Sequence, residues 1–385
     1  MNTNRSSGEG FSPMNRRDFV KHVGKTALGG TLSMGMASQL LGQVASEAEL
    51  QAPETRNEVE GMPYIILGQT NLKVSRICLG GIPWQPAVAR RAIGMGVNLV
   101  HGANHYGTME EQGRTLNGMW DKIWYVLKQN YPKEDSMSEC LDTCLRTLKR
   151  DYVDIIVPTV SRVGKTNYEK RLNEFEKLQK AGKVRMLGVT VHSGDVPDVC
   201  REVIDAGIFK LILTMYQPER KPLIDKELVR AVQKNIGTMS MKTLQGADPK
   251  DQPRILEAAL TDGTIHSVLK GIGNMSDLET YMEITKKSKM KTLTNAGKLT
   301  CDPNVCGACG ACLACPQGVD IPEGMRCATY YPRQGGLDDY ARQMYREIPS
   351  SNTIANCEDC GRCETICPRR LPIRQILREA NRKWA

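Results

Sequence analysis

Aromatic side chains are scarce, at 5% of the 385 residues. Once the N-terminus is set aside, no apolar run is long enough to span a bilayer, so a stable membrane span is not expected. No basic run reads as a nucleic-acid footprint. The formal net charge of +9 favours acidic partners only weakly, so nucleic acid is not an expected partner. Histidine is limited to His22, His101, His105, His192 and His266. Cysteine is plentiful, at 14 residues, and is unevenly placed. Cys78, Cys140, Cys144 and Cys200 are scattered, and the rest crowd between Cys301 and Cys367. With 40% apolar and 25% charged residues, the composition suits one large domain and one small one.

Residues Asn15-Arg16-Arg17-Asp18-Phe19-Val20-Lys21 resemble a twin-arginine (Tat) export signal. A mildly apolar Gly/Ala/Ser-rich stretch follows, from Thr26 to Gly42. Residues 1–46 are therefore expected to be a signal peptide, implying the Tat export machinery as a partner and a periplasmic or otherwise exported location. Residues 47–61 are polar and acidic and read as a linker.

Over residues 62–295, short apolar runs alternate with helical patterns. The runs begin near Arg76, Val97, Ile123, Val153, Val184, Leu211, Ile236 and Ile265. They lie about 27 residues apart, one βα unit each. Leu141, Leu145 and Leu148 share one helical face, and Leu172, Phe175 and Leu178 another. Gly182 sits where a helix C-terminus wants positive φ. Eight such units predict an α/β fold, a (β/α)8 TIM barrel. A doubly wound sheet would show a Gly-rich fingerprint after its first strand. Gly80-Gly81-Ile82-Pro83-Trp84 matches that poorly.

Three segments carry a family resemblance: Leu67-Gly68-Gln69-Thr70-Asn71-Leu72-Lys73-Val74-Ser75-Arg76, Gly182-Lys183-Val184-Arg185-Met186-Leu187-Gly188-Val189-Thr190, and Met241-Lys242-Thr243-Leu244. In order and spacing the chain resembles the aldo-keto reductase family. The resemblance implies a catalytic Asp, Tyr, Lys and His at the barrel mouth, where a phenol protonates a carbonyl as hydride arrives from NADPH. Tyr106 and Lys128 stand at the Tyr and Lys positions. His101 stands at the Asp position and Thr159 at the His position. His101, Tyr106 and Lys128 are the candidate catalytic residues. The resemblance also implies NADP(H) contacts at Thr190, Tyr216, Gln217, Lys242, Gly271, Gly273 and Asn274. His101, His105 and His192 fall at predicted strand ends or the loops after them. They are either metal ligands or proton shuttles, or hydrogen-bonded packing residues at the rim.

Residues 296–385 carry two dense motifs. Cys306, Cys309, Cys312 and Cys315 precede Pro316, and Cys357, Cys360, Cys363 and Cys367 precede Pro368. The second is the run that bacterial ferredoxins use to hold cubane clusters. The first has one residue fewer before its last cysteine, so Cys301 or Cys327 could substitute. A small ferredoxin-like domain is therefore expected, with eight thiolate ligands and two [4Fe–4S] clusters. Disulfides or zinc would not predict the terminal Cys-Pro twice.

Together these readings predict an exported iron–sulfur oxidoreductase acting on a small molecule at the barrel mouth. The alternative is an electron-transfer or docking protein that uses the barrel as a scaffold for a redox partner.

Overall fold

The computed structural model describes residues 52–130, 136–192, 196–217, 221–288, 306, 311–329, 332, 338–367 and 369–385. Residues 53–385 form one compact unit. The expected signal peptide lies outside the described residues.

Eight parallel strand positions close into a barrel, as the spacing predicts. They are β4 (Ile77–Leu79), β5 (Leu99–Ala103), β6 (Trp124–Gln129), β7 (Val153–Val160), β8 (Val184–Leu187) continued by β9 (Val189–Val191), β10 (Leu211–Met215), β11 (Gly237–Met241) and β12 (Ser267–Lys270). Pairing of β6 with β7 closes the ring. The fifth position is split at Gly188, where a Cβ would lie 2.9 Å from both Val157 Cγ1 and Leu211 Cβ. Only glycine lets the backbone pass so close to its neighbours. In front stand β1 (Glu54–Thr55), β2 (Tyr64–Ile66) and β3 (Leu72–Ser75), with β2 and β3 antiparallel. β1 lies inside the stretch read as a linker, and Glu54 is tied to Arg185 at 2.6 Å.

The helices between the strands bury one stripe each. α1 (Pro86–Gly94) and α2 (Met109–Leu116) follow β4 and β5. α3 (Met137–Leu148) buries Leu141, Leu145 and Leu148. α4 (Tyr168–Lys180) buries Phe175 and Leu178, and Gly182 beyond it has φ +72°. α5 (Val196–Ala206), α6 (Lys221–Gln233), α7 (Gln252–Thr261) and α8 (Met275–Lys287) complete the ring. No described helix is long and apolar enough to cross a membrane.

The expected ferredoxin-like domain is not what the described residues form. From Ala311 onward they contain α9 (Ile321–Thr329), α10 (Asp338–Arg346), α11 (Arg362–Ile366), α12 (Ile373–Trp384) and short 3-10 turns, with no strand. These helices pack in two apolar clusters. One joins Cys327, Ala341, Tyr345, Ile348, Ala380 and Trp384, and against it pack Ile82 and Tyr106 from the barrel mouth. The other joins Val319, Ile321, Met325, Ile354, Leu371, Ile373 and Leu377. The helical segment thus caps the barrel, because amphipathic helices bury their apolar stripe against whatever apolar surface adjoins them.

Candidate active site

The mouth is built from the C-terminal ends of the strands, where barrel sites form. His101 lies on β5 and Lys128 near the end of β6. The register pairs Ala103 with Lys128, so Tyr106, three residues beyond β5, follows directly from Lys128's neighbour. The loop that carries Tyr106 is fixed to the end of β6. Asn104 Nδ2 donates to the Asn130 carbonyl at 2.8 Å, and the Asn130 N–H donates to Asn104 Oδ1 at 3.0 Å. The Tyr106 ring lies 4.8 Å from His105, edge-on, and 6.0 Å from His101. Thr159, near the end of β7, donates its hydroxyl to Asn130 Oδ1.

Three residues of the capping helices enter this mouth. Arg326 of α9 donates to His192 Nδ1 at 3.1 Å, which places the imidazole proton on Nε2. Its guanidinium also pairs with Glu323, with Nε donating at 2.9 Å. Tyr340 of α10 stacks on His105 and accepts a hydrogen bond from Asn130 Nδ2. Arg326, Glu323 and Tyr340 were not legible in the sequence. Their contacts with the mouth span well over a hundred residues, and no local pattern marks them.

The electrostatics follow from burying several bases together. Lys128 is 2% exposed, and burial pushes it down to about 7, with Arg326 lowering it further and Glu323 opposing. His101, 1% exposed, is pushed down to about 3 by burial and then by Lys128. Burial, Lys128 and neighbouring cations also hold His105 and His192 well below the usual histidine range. At neutral pH the mouth therefore holds three uncharged imidazoles, a lysine near its midpoint, and the Arg326 guanidinium paired with Glu323. His101 makes no hydrogen bond through either ring nitrogen.

Beside it lies a cleft of about 510 Å³, lined by His101, Tyr106, Lys242, Gln245, Lys270 and Gly271, among others. The cofactor residues implied by the family resemblance are only partly gathered there. Lys242 and Gly271 line the cleft. Thr190 is fully buried beside Met241. Tyr216 is pinned through its hydroxyl to Asp262 at 2.6 Å. Gln217 donates to the Gln245 carbonyl at 3.3 Å. Asn274 caps α8 by accepting from the Asp277 N–H at 2.8 Å, and Gly273 packs against Pro83. Lys270 and Gln245 were missed. Lys270 ends β12 and Gln245 follows β11, so position alone could have flagged them.

The iron–sulfur expectation is corrected here. Among the described residues no group of three or more His, Cys, Asp or Glu side chains is placed to hold a metal ion. This also covers the His101, His105 and His192 metal reading. Cys306, Cys312, Cys315, Cys357, Cys363 and Cys367 instead pack as small apolar groups against the second cluster. Cys360 is an exposed free thiol, and Cys327 is buried in the first cluster. Cys301 and Cys309 lie outside the described residues. The described residues thus do not bear out the expected [4Fe–4S] clusters or electron transfer through them.

Residues 85–251 match the Aldo/keto reductase family. Among solved structures, an aldo-keto reductase from Klebsiella pneumoniae in complex with NADPH is similar at 16% identity. The match covers 61% of this chain and 92% of that one, with a TM-score of 0.51. The holo form of an aldo-keto reductase from Bacillus halodurans is similar at 17% identity, over 60% and 93% of the two chains, with a TM-score of 0.51. The barrel therefore has the aldo-keto reductase fold. The family match supports an oxidoreductase-like enzyme in general terms. Neither comparison points to export, to an iron–sulfur cluster or to a redox protein partner.

Proposed function

We propose that this protein is an NADP(H)-linked oxidoreductase acting on a small carbonyl compound, with a mouth in which His101 and Thr159 replace the acid and histidine that the family resemblance implies. The observation that carries this reading is Lys128, buried at the end of β6 with its ammonium poised near neutrality. Its backbone pairs with the strand that leads into Tyr106.

The cleft residues suit a dinucleotide. Lys242 and Lys270 offer two ammoniums for phosphate oxygens, and Gln245 Oε1 is buried without a protein partner. At Gly271, which lines the cleft, a Cβ would meet the Ile82 carbonyl at 2.0 Å, so only glycine lets the end of β12 pack against the Ile82 backbone there. A nicotinamide, when bound, supplies hydride. Tyr106, which lines the same cleft, is the proton donor to the carbonyl oxygen. Lys128 alternates between ammonium and amine near pH 7, so it can return a proton to the phenol after each turnover. His101, neutral and unpaired, lines the cleft as a hydrogen-bonding group for the carbonyl.

The test is a calorimetric titration of the full chain with NADPH, followed by NADPH oxidation with a panel of aldehydes and ketones. Saturable binding and turnover of at least one carbonyl are expected. Absence of NADPH binding at millimolar concentration would overturn the reading.

A further inference from the structure

Two thiols stand one helical turn apart on α3: Cys140 at the end of the first turn and Cys144 beyond it. Cys144 is 3% exposed and packs in the barrel core, whereas Cys140 is partly exposed. The Cys140 sulfur accepts two hydrogen bonds. One comes from the Cys144 S–H, and the other from Asn104 Nδ2 at 3.4 Å. The Cys144 bond, helped by Asn104, draws the Cys140 thiol below its usual range, against burial and the nearby Glu139 carboxylate. Cys144 is pushed up, first by the bond it gives to Cys140 and then by burial, so it stays protonated as the donor. The positive end of α3 adds to the preference for a thiolate at Cys140. A partly exposed sulfur with two donors in the first turn of a helix is the setting of a reactive cysteine, whereas burial alone pushes the Cys78 thiol up. The Asn104 amide that reaches Cys140 is also the one that ties the Tyr106 loop to Asn130, at 2.8 and 3.0 Å. Tyr106 follows it two residues on.

We propose that Cys140 is a modification site for hydroperoxides, and that its oxidation to the sulfenic acid releases the Asn104 clamp on the Tyr106 loop. The thiolate sulfur attacks the O–H oxygen of the peroxide. An S–O bond forms and the O–O bond breaks. Sulfur gives up two electrons, the attacked oxygen carries its proton into the sulfenic acid, and the other oxygen leaves as hydroxide or alkoxide. The new oxygen stands where the Asn104 amide meets the sulfur, so Asn104 must move and its two bonds to Asn130 are disturbed. A thiol reductant restores the starting state. Any effect on turnover rests on Tyr106 being the proton donor of the reaction proposed above. The modification and the release of the loop do not.

The experiment treats the full chain with hydrogen peroxide at pH 7. Dimedone traps sulfenic acids, and peptide mass spectrometry reads each cysteine. Hydrogen–deuterium exchange of the peptide carrying Asn104 and Tyr106 is followed in parallel, without dimedone. Trapping at Cys140 should exceed that at Cys78 several-fold. Exchange in the loop should quicken several-fold after peroxide and return on adding dithiothreitol. Cys140→Ser should remove both responses. Asn104→Ala and Cys144→Ala each take away one donor and should slow trapping several-fold, and Cys144→Ala keeps the test valid should Asn104→Ala not fold. Carbonyl-dependent NADPH oxidation should fall several-fold with the loop's release. Release with turnover unchanged would count against Tyr106 as the proton donor and leave the modification site standing. The inference fails if Cys140 is trapped no more than Cys78, if the loop exchanges alike before and after peroxide, if Cys140→Ser responds like the parent chain, or if the donor variants that fold are trapped as fast as the parent.

Discussion

His105 and Tyr340 lie face to face, with ring centroids 4.3 Å apart and planes 18° from parallel. One ring comes from the loop after β5 and the other from α10. The pair joins the barrel mouth to its cap. Tyr340→Phe keeps the stack and loses the bond from Asn130, and should cost about 1 kcal/mol. Tyr340→Ala loses the stack as well, and should cost about 1 kcal/mol more. Urea denaturation distinguishes them, and equal costs would show that the stack contributes nothing.

Tyr106→Phe should lower kcat for carbonyl reduction by about 10²–10⁴-fold, the usual reach of a positioned proton donor. NADPH affinity should change little, since the ring remains. Turnover within twofold of the parent enzyme would remove Tyr106 from the chemistry.

The buried bases predict the pH dependence of stability. Lys128 titrates at about 7 when folded, against 10.5 as a free side chain. Between these values the unfolded chain binds the extra proton, so stability should rise with pH across that window. Below about 7 the penalty is present in full. His101 behaves alike in acid. Its folded value of about 3 lies below 6.5, so stability should fall as pH drops from 6.5 towards 3. Lys128→Met should flatten the alkaline limb and raise the melting temperature at pH 7. His101→Leu should flatten the acid limb. Calorimetric scans from pH 4 to 10 would show both, and unchanged slopes would contradict the assigned charge states.

Arg326→Gln removes the cation that helps hold Lys128 down, and leaves Glu323 to draw it up. The pH–rate profile should shift to higher pH. Stability should fall by about 3 kcal/mol, because a partly buried carboxylate loses its partner. A profile that stays put would mean that burial alone sets Lys128.

The barrel was legible in the sequence because each strand is a local event. Runs such as Val153–Val160 are buried almost throughout and read as apolar, and their even spacing gave the ring. Tyr106, Lys128 and His101 could be placed because the aldo-keto reductase resemblance supplies a motif at the ends of those strands. The cap could not be read this way. The cluster of Cys327, Tyr345 and Trp384 comes against Tyr106 only through tertiary packing, and the crowded cysteines suggested metal chemistry where the described residues show apolar packing.

The packing of Tyr106 against the apolar cluster of the capping helices also bears on the order in which the segments are made. All eight strand positions have been made once Lys270 is joined, while Arg326 and Tyr340 are still to come. A nascent chain can therefore hold every barrel strand before Glu323 and Arg326, which shift Lys128 in opposite directions, have been made. The scaffold's segments are thus all present in the chain before the cap residues that shape the charge at its mouth.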